Sequence, residues 1–360
     1  MGKAIGIDLG TTNSVMSIKQ GQDVRVLQNK ENEDLTPSIV GSYKGKIIIG
    51  GPAVDYMASA PKDKIISVKR LMGRAESDKV VQEVMHKYPY KIVSPSDGTS
   101  DDVRVILAEK EHSPIKISSM ILKKLKEDAE KRLNDTVDQA VITVPAYFTE
   151  KQKDATRKAG QLAGLKVQKI LDEPTAAAIA FGVDNVGIDE SKTILVYDLG
   201  GGTFDVSVLT IAGGVFAQLN IEGDMWLGGD DFDHKIMDYV LARVKKEYGI
   251  DASNDLRFMM ELRKQAEKAK KALSSMSSTD IVMIGNKAGM AIDGEAELTR
   301  DQFEGMISTK VKDSIELVKT AIANAHLTMD QIDHILMVGG SSVIPMVRRA
   351  ISTCSERKRY

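Results

Sequence analysis

A single cysteine, Cys354, stands in the 360 residues. No disulfide can form within the chain, so its stability must come from packed cores, and a reducing compartment is the expected setting. Aromatic residues are scarce, at 5%, with one Trp. Ile, Leu, Val, Ala and Met nevertheless bring the hydrophobic share to 42%, enough for a core in each of two lobes at this length. The five histidines stand at 86, 112, 234, 326 and 334. None pairs at metal-ligand spacing, which speaks against a zinc site.

Excess positive charge is also lacking: the formal net charge is −2 and the pI about 6.3. Nucleic acid and anionic membrane are therefore not expected as main partners. The basic end, with Arg348, Arg349, Arg357, Lys358 and Arg359, reads as a solvated terminus rather than a binding arm. No apolar run reaches membrane-spanning length. The N-terminus breaks at once into Gly and Asp and carries no secretory h-region. Met1-Gly2 could start a myristoylation signal, but Gly6 stands where Ser or Thr is needed. A cytoplasmic location is the expectation.

What is present is a repeated pattern. The run Ala4–Asp8 ends at Gly10-Thr11-Thr12, and a second run, Ser14–Lys19, follows. This predicts strand, tight polar turn, strand. Ile194–Tyr197 leads into Asp198-Leu199-Gly200-Gly201-Gly202-Thr203 and on to Asp205–Leu209, the same pattern with a turn one residue longer. Asp8 and Asp198 lie 190 positions apart. Asp138–Val144 breaks at Pro145-Ala146 before a helix, and Asp333–Val338 breaks at Gly339-Gly340 before another; their aspartates lie 195 apart. Two segment pairs at nearly one offset predict an internal duplication. The expected lobes are residues 1–190 and 191–360, both of α/β design.

Helices are predicted over Ile115–Leu133, Thr149–Gly164, Asp230–Tyr248, Asp255–Ser274 and Thr299–Ala325. Thr149 with Gln152, and Thr299 with Gln302, have capping-box spacing. Asp280–Thr299 alternates apolar and polar residues around Gly and predicts a small hairpin sheet.

The two turns carry the chemistry. Glycine lets backbone amides approach a ligand, and successive amides form an anion-binding concavity. Thr11, Thr12 and Thr203 add hydroxyls; Asp8, Asp198 and Asp205 add carboxylates. Carboxylates beside a phosphate cradle call for a cation, and hydrated Mg²⁺ binds one or two carboxylates plus phosphates. The pair reads as a clamp for Mg-nucleotide phosphates. One such turn alone would be an ordinary hairpin. There is no P-loop, no G-x-G-x-x-G opening a helix, no His-Arg-Asp loop and no Asp-Phe-Gly.

IGIDLGTTNS (5–14), VPAYF (144–148), DEPTAAAIAFG (172–182), YDLGGGTFDVS (197–207), GDMWLGGDDFD (223–233) and MVGGSSVIP (337–345) together resemble the nucleotide-binding domain of Hsp70 (DnaK-like) chaperones. The resemblance runs from residue 4 to about 350. It implies an α/β actin-like ATPase (ribonuclease H-like) fold, with two duplicated lobes around a nucleotide cleft and a C-terminal segment returning after the second lobe. It implies Mg-dependent ATP hydrolysis that drives conformational change in protein folding, with ATP/ADP and Mg²⁺ bound.

By this resemblance Gly10, Thr11, Thr12 and Asn13 form the first phosphate turn, and Gly200, Gly201, Gly202 and Thr203 the second. Asp8, Asp198 and Asp205 hold Mg²⁺ through waters. Lys69 serves the γ-phosphate, where composition alone reads a surface lysine near Arg70 and Arg74. Glu173 positions or deprotonates water, Thr203 orients it, and Pro145 relays nucleotide state. Glu267, Lys270, Lys271 and Ser274, spaced i, i+3, i+4 and i+7, are expected on the ribose and base; the spacing equally suits a solvated face with intrahelical ion pairs. Gly229, Gly339, Gly340, Ser341 and Ser342 complete the expected set.

The sequence departs from the family at Lys271 and Val343, where arginines usually flank adenine. Lysine lacks the stacking guanidinium plane and valine lacks charge, so weaker adenine selectivity is expected. Lys153 and Lys169 are expected to alter coupling between the lobes. J-domain co-chaperones and nucleotide-exchange factors are the implied partners. No part of the chain resembles the family's peptide-binding β-sandwich, so no client grip is expected from it. The alternatives are a nucleotide-gated regulatory module with little turnover, and an actin-like or sugar-kinase relative.

Overall fold

Alternating apolar residues in the first segment produce strand β1, Lys3–Leu9, with Ile5, Ile7 and Leu9 buried. The computed structural model describes residues 2–21, 23–56, 61–88, 90–96, 98, 102–182, 190–287 and 290–355. Met1 and the basic residues Arg357, Lys358 and Arg359 lie outside the described residues. The chain divides into two compact units, Met1–Ala176 and Ala177–Tyr360.

In unit 1, β2 (Asn13–Gln20), β3 (Asp23–Leu27) and β4 (Thr36–Pro37) follow β1. Next come β5 (Val40–Tyr43), β6 (Lys46–Ile49), helix α1 (Gly51–Tyr56) and β7 (Lys64–Ile65). Then α2 (Lys79–Lys87), β8 (Ile92–Val93), β9 (Arg104–Leu107) and β10 (Lys110–His112) lead to α3 (Pro114–Leu133). β11 (Val137–Val144), α4 (Glu150–Leu162), β12 (Lys166–Asp172) and the start of α5 (Glu173–Ala180) complete it. The main sheet has the order β12-β11-β1-β2-β3, with β4 pairing β2. β1 runs parallel to β11 and antiparallel to β2. Helices α3 and α4 pack together, and α4 lies on β11 and β12. The α4 capping box forms between Thr149 and Gln152 as expected.

In unit 2, β13 (Ser191–Leu199), β14 (Phe204–Ala212) and β15 (Val215–Asp224) form a meander. α6 (Gly229–Tyr248), α7 (Leu256–Ala272), the hairpin β16 (Ser278–Lys287) and β17 (Met290–Thr299), α8 (Arg300–Asn324), β18 (His334–Val338) and α9 (Pro345–Cys354) follow. The sheet order is β15-β14-β13-β18. Leu195, Tyr197 and Leu199 pack with Phe232, Phe303 and Val347 on one face. Ile194 and Val196 pack with Ala178 and Leu336 on the other. The near-continuous apolar run of β13 follows from this burial on both faces. Helix α7 ends two residues before the expected Ser274, which lies beyond the cap residue Leu273.

The two sheets share a topology: each sets a three-stranded meander beside a parallel strand. The register is also repeated. Asp8 lies opposite Thr143 and Asp198 opposite Val338. Across the antiparallel pairs Asp8 faces Val15 and Asp198 faces Asp205. The expectation of a longer second turn is corrected here. Leu9 pairs Ser14 and Leu199 pairs Phe204, so residues 10–13 and 200–203 close turns of equal length. The two extra glycines of the second turn, Gly201 and Gly202, stand where Thr11 and Thr12 stand in the first and add no residue. Among the described residues, no helix is long and apolar enough to cross a membrane.

Candidate functional site

In unit 1 the first turn is tight. A Cβ on Gly10 would lie 2.1 Å from the Asn13 carbonyl oxygen, so only glycine fits without moving backbone. Thr12 Oγ1 is buried without a hydrogen-bond partner. A buried hydroxyl left unpaired costs free energy, and a phosphate oxygen is a partner of suitable chemistry. Asp8, at the end of β1, accepts a hydrogen bond of 3.0 Å from Thr143 Oγ1 on β11.

Lys69 stands on the short 3₁₀ helix Val68–Leu71 and is buried, so the reading of it as a surface residue is set aside. Its Nζ donates to Glu173 Oε1 at 2.7 Å, joining residues 104 positions apart. The ammonium also lies 6.0 Å from the centre of the Phe148 ring. Burial pushes the Glu173 carboxyl above its ordinary value, Lys69 opposes that push, and the Asp8 carboxylate adds to it. Lys69, Glu173 and Asp8 therefore form one electrostatic group. Lys153, on α4, is ion-paired to Asp172 at 2.9 Å.

In unit 2 the second turn is enclosed by glycines. Gly339 has φ of +85°, and a Cβ there would lie 2.4 Å from Leu199 O and 2.6 Å from Asp198 Oδ1. A Cβ on Gly228 would meet Gly201 O at 2.7 Å, and one on Gly229 would meet Ser341 Oγ at 2.6 Å. The turn is held by Gly229 N–H and Ser341 Oγ, both donating to Gly200 O at 3.0 Å, and by Asp230 N–H donating to Gly201 O. Gly200 N–H donates to Thr203 O at 2.9 Å. Ser342 Oγ turns back onto Gly339 O at 2.7 Å, and Gly340 is exposed at the turn's surface.

The four residues expected on one helix face occupy different surroundings. Lys270 is buried, and its Nζ donates to Gly229 O at 2.8 Å and Asp233 Oδ2 at 2.9 Å. Burial pushes the Asp233 carboxyl up to about 6, with Lys270 opposing. Lys271 is exposed and paired with Glu267 at 2.7 Å, the solvated-face arrangement. Ser274 lies past the helix end, and Val343 is exposed. Sequence reasoning gave no role to Asp233, Thr143, Phe148 or Ser38. All four partner distant residues, so no local spacing signals them.

The donor set fits a hydrated cation rather than a closed protein cage. Among the described residues, no cluster of three or more His, Cys, Asp or Glu is placed to hold a metal. Asp198 and Asp205 nevertheless stand directly opposite each other on β13 and β14. Like charges in that relation repel, and a cation bound through water offsets the repulsion.

A strand–turn–strand repeated in register, with an acid near the end of each first strand, is consistent with an α/β protein of actin-like fold. A family model described as Hsp70 protein matches residues 4–360. The chain belongs to the Hsp70 family, whose members are chaperones that bind ATP.

Proposed function

We propose that the chain binds Mg-ATP and hydrolyses it, as the ATPase part of an Hsp70-type chaperone cycle. The observation that carries the reading is the ion pair of buried Lys69 with half-buried Glu173, grouped with Asp8. It puts a compact cation and a carboxylate of raised proton affinity beside the acid that ends β1. Lys69 supplies positive charge where negative charge grows on a transferring phosphoryl group. Glu173, tuned upward by burial, accepts a proton from the attacking water. Thr203 orients that water, and the amides of residues 10–13 and 200–203 bind phosphate oxygens. Mg²⁺, held through waters by Asp8, Asp198 and Asp205, would neutralise phosphate charge when bound. J-domain co-chaperones and nucleotide-exchange factors are the partners this reading calls for.

Single-turnover ATP hydrolysis with and without Mg²⁺, on wild type and Lys69→Ala, tests it. Removing one preorganised electrostatic group costs about 10²–10³-fold in rate. That loss in Lys69→Ala, with nucleotide still bound, is the expected result. Equal, slow rates in both proteins, each binding nucleotide, would overturn hydrolysis and leave a nucleotide-gated regulatory module.

A further inference from the structure

The short β4 strap of unit 1 has no part in the chemistry above, yet the residue after it is tied to the first turn by two hydrogen bonds and to Ser14 on β2 by a third. Ser38, which follows β4 directly, donates its hydroxyl to Gly10 O at 2.8 Å. Its N–H donates to Thr12 O at 2.8 Å. Its oxygen lies 2.9 Å from Ser14 Oγ. A serine hydroxyl has one proton; that of Ser38 is committed to Gly10, so Ser14 donates to Ser38. Both serines are buried. The strap is itself secured at Thr36, whose Oγ1 lies 3.1 Å from Asn29 Nδ2.

The peptide group is planar and trans, so the N–H of one residue points opposite to the C=O of the residue before it. Pinning Gly10 O against Ser38 fixes the plane that carries Thr11 N–H. Pinning Thr12 O fixes the plane that carries Asn13 N–H. Both amides are thereby directed away from the strap.

Unit 2 solves the same problem with different parts. Gly200 is the register equivalent of Gly10, and its carbonyl also accepts a serine hydroxyl, from Ser341 at 3.0 Å. Ser38 reaches the first turn from the residue after β4; Ser341 reaches the second from the 3₁₀ helix Gly340–Val343. Gly200 O accepts in addition from a backbone donor, Gly229 N–H, at 3.0 Å.

We propose that Ser38 is a positioning residue that fixes the first turn's amides for phosphate binding, as Ser341 does for the second turn. The proposal rests on the nucleotide-binding reading. It locates part of the phosphate affinity in a hydroxyl that touches no phosphate. A purely structural Ser38 would affect stability, or affinity for every ligand alike. A positioning Ser38 affects ligands that carry phosphates and spares the nucleoside.

The test is calorimetric binding of ATP and adenosine to wild type, Ser38→Ala, Ser38→Thr and Ser341→Ala, with urea unfolding of each protein. One hydrogen bond of this kind is worth about threefold to tenfold in an equilibrium constant. Ser38→Ala should lose that much ATP affinity and keep its adenosine affinity. Ser38→Thr, which retains the donor, should recover most of the loss. Ser341→Ala should show a smaller phosphate-specific loss, because Gly229 N–H still holds Gly200 O. Wild type binding ATP no more tightly than adenosine sinks the nucleotide reading itself. Phosphate-dependent binding by wild type overturns the positioning role if Ser38→Ala loses ATP and adenosine affinity equally, or loses neither. It is also overturned if a fully folded Ser38→Thr is as weak as Ser38→Ala.

Discussion

At the ends of their first strands the two units place an aspartate at the same point of the same topology, Asp8 in one and Asp198 in the other. Their neighbours differ. Asp8 faces Val15 on β2, and its acid and base partners come from far along the chain, as Lys69 and Glu173. Asp198 faces a second carboxylate, Asp205, on the adjacent strand. One copy assembles charge from distant segments, and the other carries it on the hairpin itself. The backbone register that positions the turn is thus the same in both units, while the side chains around it differ.

Each unit also contains a buried lysine tied to carboxylates, and breaking these ties should give the largest effect. In unit 2, Lys270 serves Asp233 and the first carbonyl of α6. In unit 1, Lys124 joins Asp128 at 2.7 Å and Glu31 at 2.9 Å. Removing one partner of a buried pair costs about 3–5 kcal/mol, so Lys270→Ala and Lys124→Ala should each destabilise the protein on that scale in urea unfolding. The pH dependence separates a pair from a packing defect. Burial, opposed by Lys270, holds Asp233 at about 6 in the folded protein, above its ordinary value. The folded state therefore binds this proton more tightly than the unfolded chain, and stability from this group falls as pH rises through that interval. Without Lys270 the carboxyl rises further. The deficit of Lys270→Ala relative to wild type should then widen from pH 5 to pH 8. An equal deficit at both would show that Asp233 and Lys270 are not coupled.

Equivalent glycines should respond in opposite ways. A Cβ on Gly10 meets the Asn13 carbonyl at 2.1 Å, but one on Gly200 meets nothing closer than Thr203 O at 3.5 Å, an ordinary contact. Forcing atoms into a packed site costs about 1–3 kcal/mol. Gly10→Ala should lose that much in ATP affinity or folding stability, whereas Gly200→Ala should stay near wild type. Equal losses in calorimetry and urea unfolding would mean that the two turns are tighter copies of each other than their backbones indicate.

Local pattern exposed much of this frame. Strands β1, β2, β13 and β14, the helices α3, α4, α6 and α8, and the hairpin of β16 and β17 follow from apolar periodicity and from the Thr149 and Thr299 caps. Offsets of 190 and 195 residues anticipated the shared register. Residues 20–112 were not legible, because β4 through β10 are two to four residues long and bury too few side chains to impose a period. The turn lengths were misjudged because Gly200-Gly201-Gly202 extends the run of glycines without extending the loop. Spacing also placed Lys270 and Lys271 together on α7, yet one packs against Asp233 and its neighbour faces solvent. Helical periodicity identifies a face only to within a residue, and which lysine finds a buried carboxylate depends on α6, a separate element.

The smallest expected effect concerns the base, and it sharpens the same contrast between the units. On the proposed reading the amides of unit 1's turn, Thr12 and Lys69 address phosphates, and base selectivity is expected from residues of unit 2. There Lys271 is exposed and already paired with Glu267, and Val343 is exposed and uncharged. Neither offers the guanidinium plane that stacks on a purine; such a contact is worth about 0.5–1 kcal/mol at an exposed site. ATP and GTP should therefore bind within about tenfold of each other in calorimetry. Val343→Arg should widen the gap in favour of ATP by about twofold to fivefold, the equivalent of one exposed stacking contact. A strong preference for ATP in the wild-type protein would place base recognition in groups of unit 2 other than these two side chains.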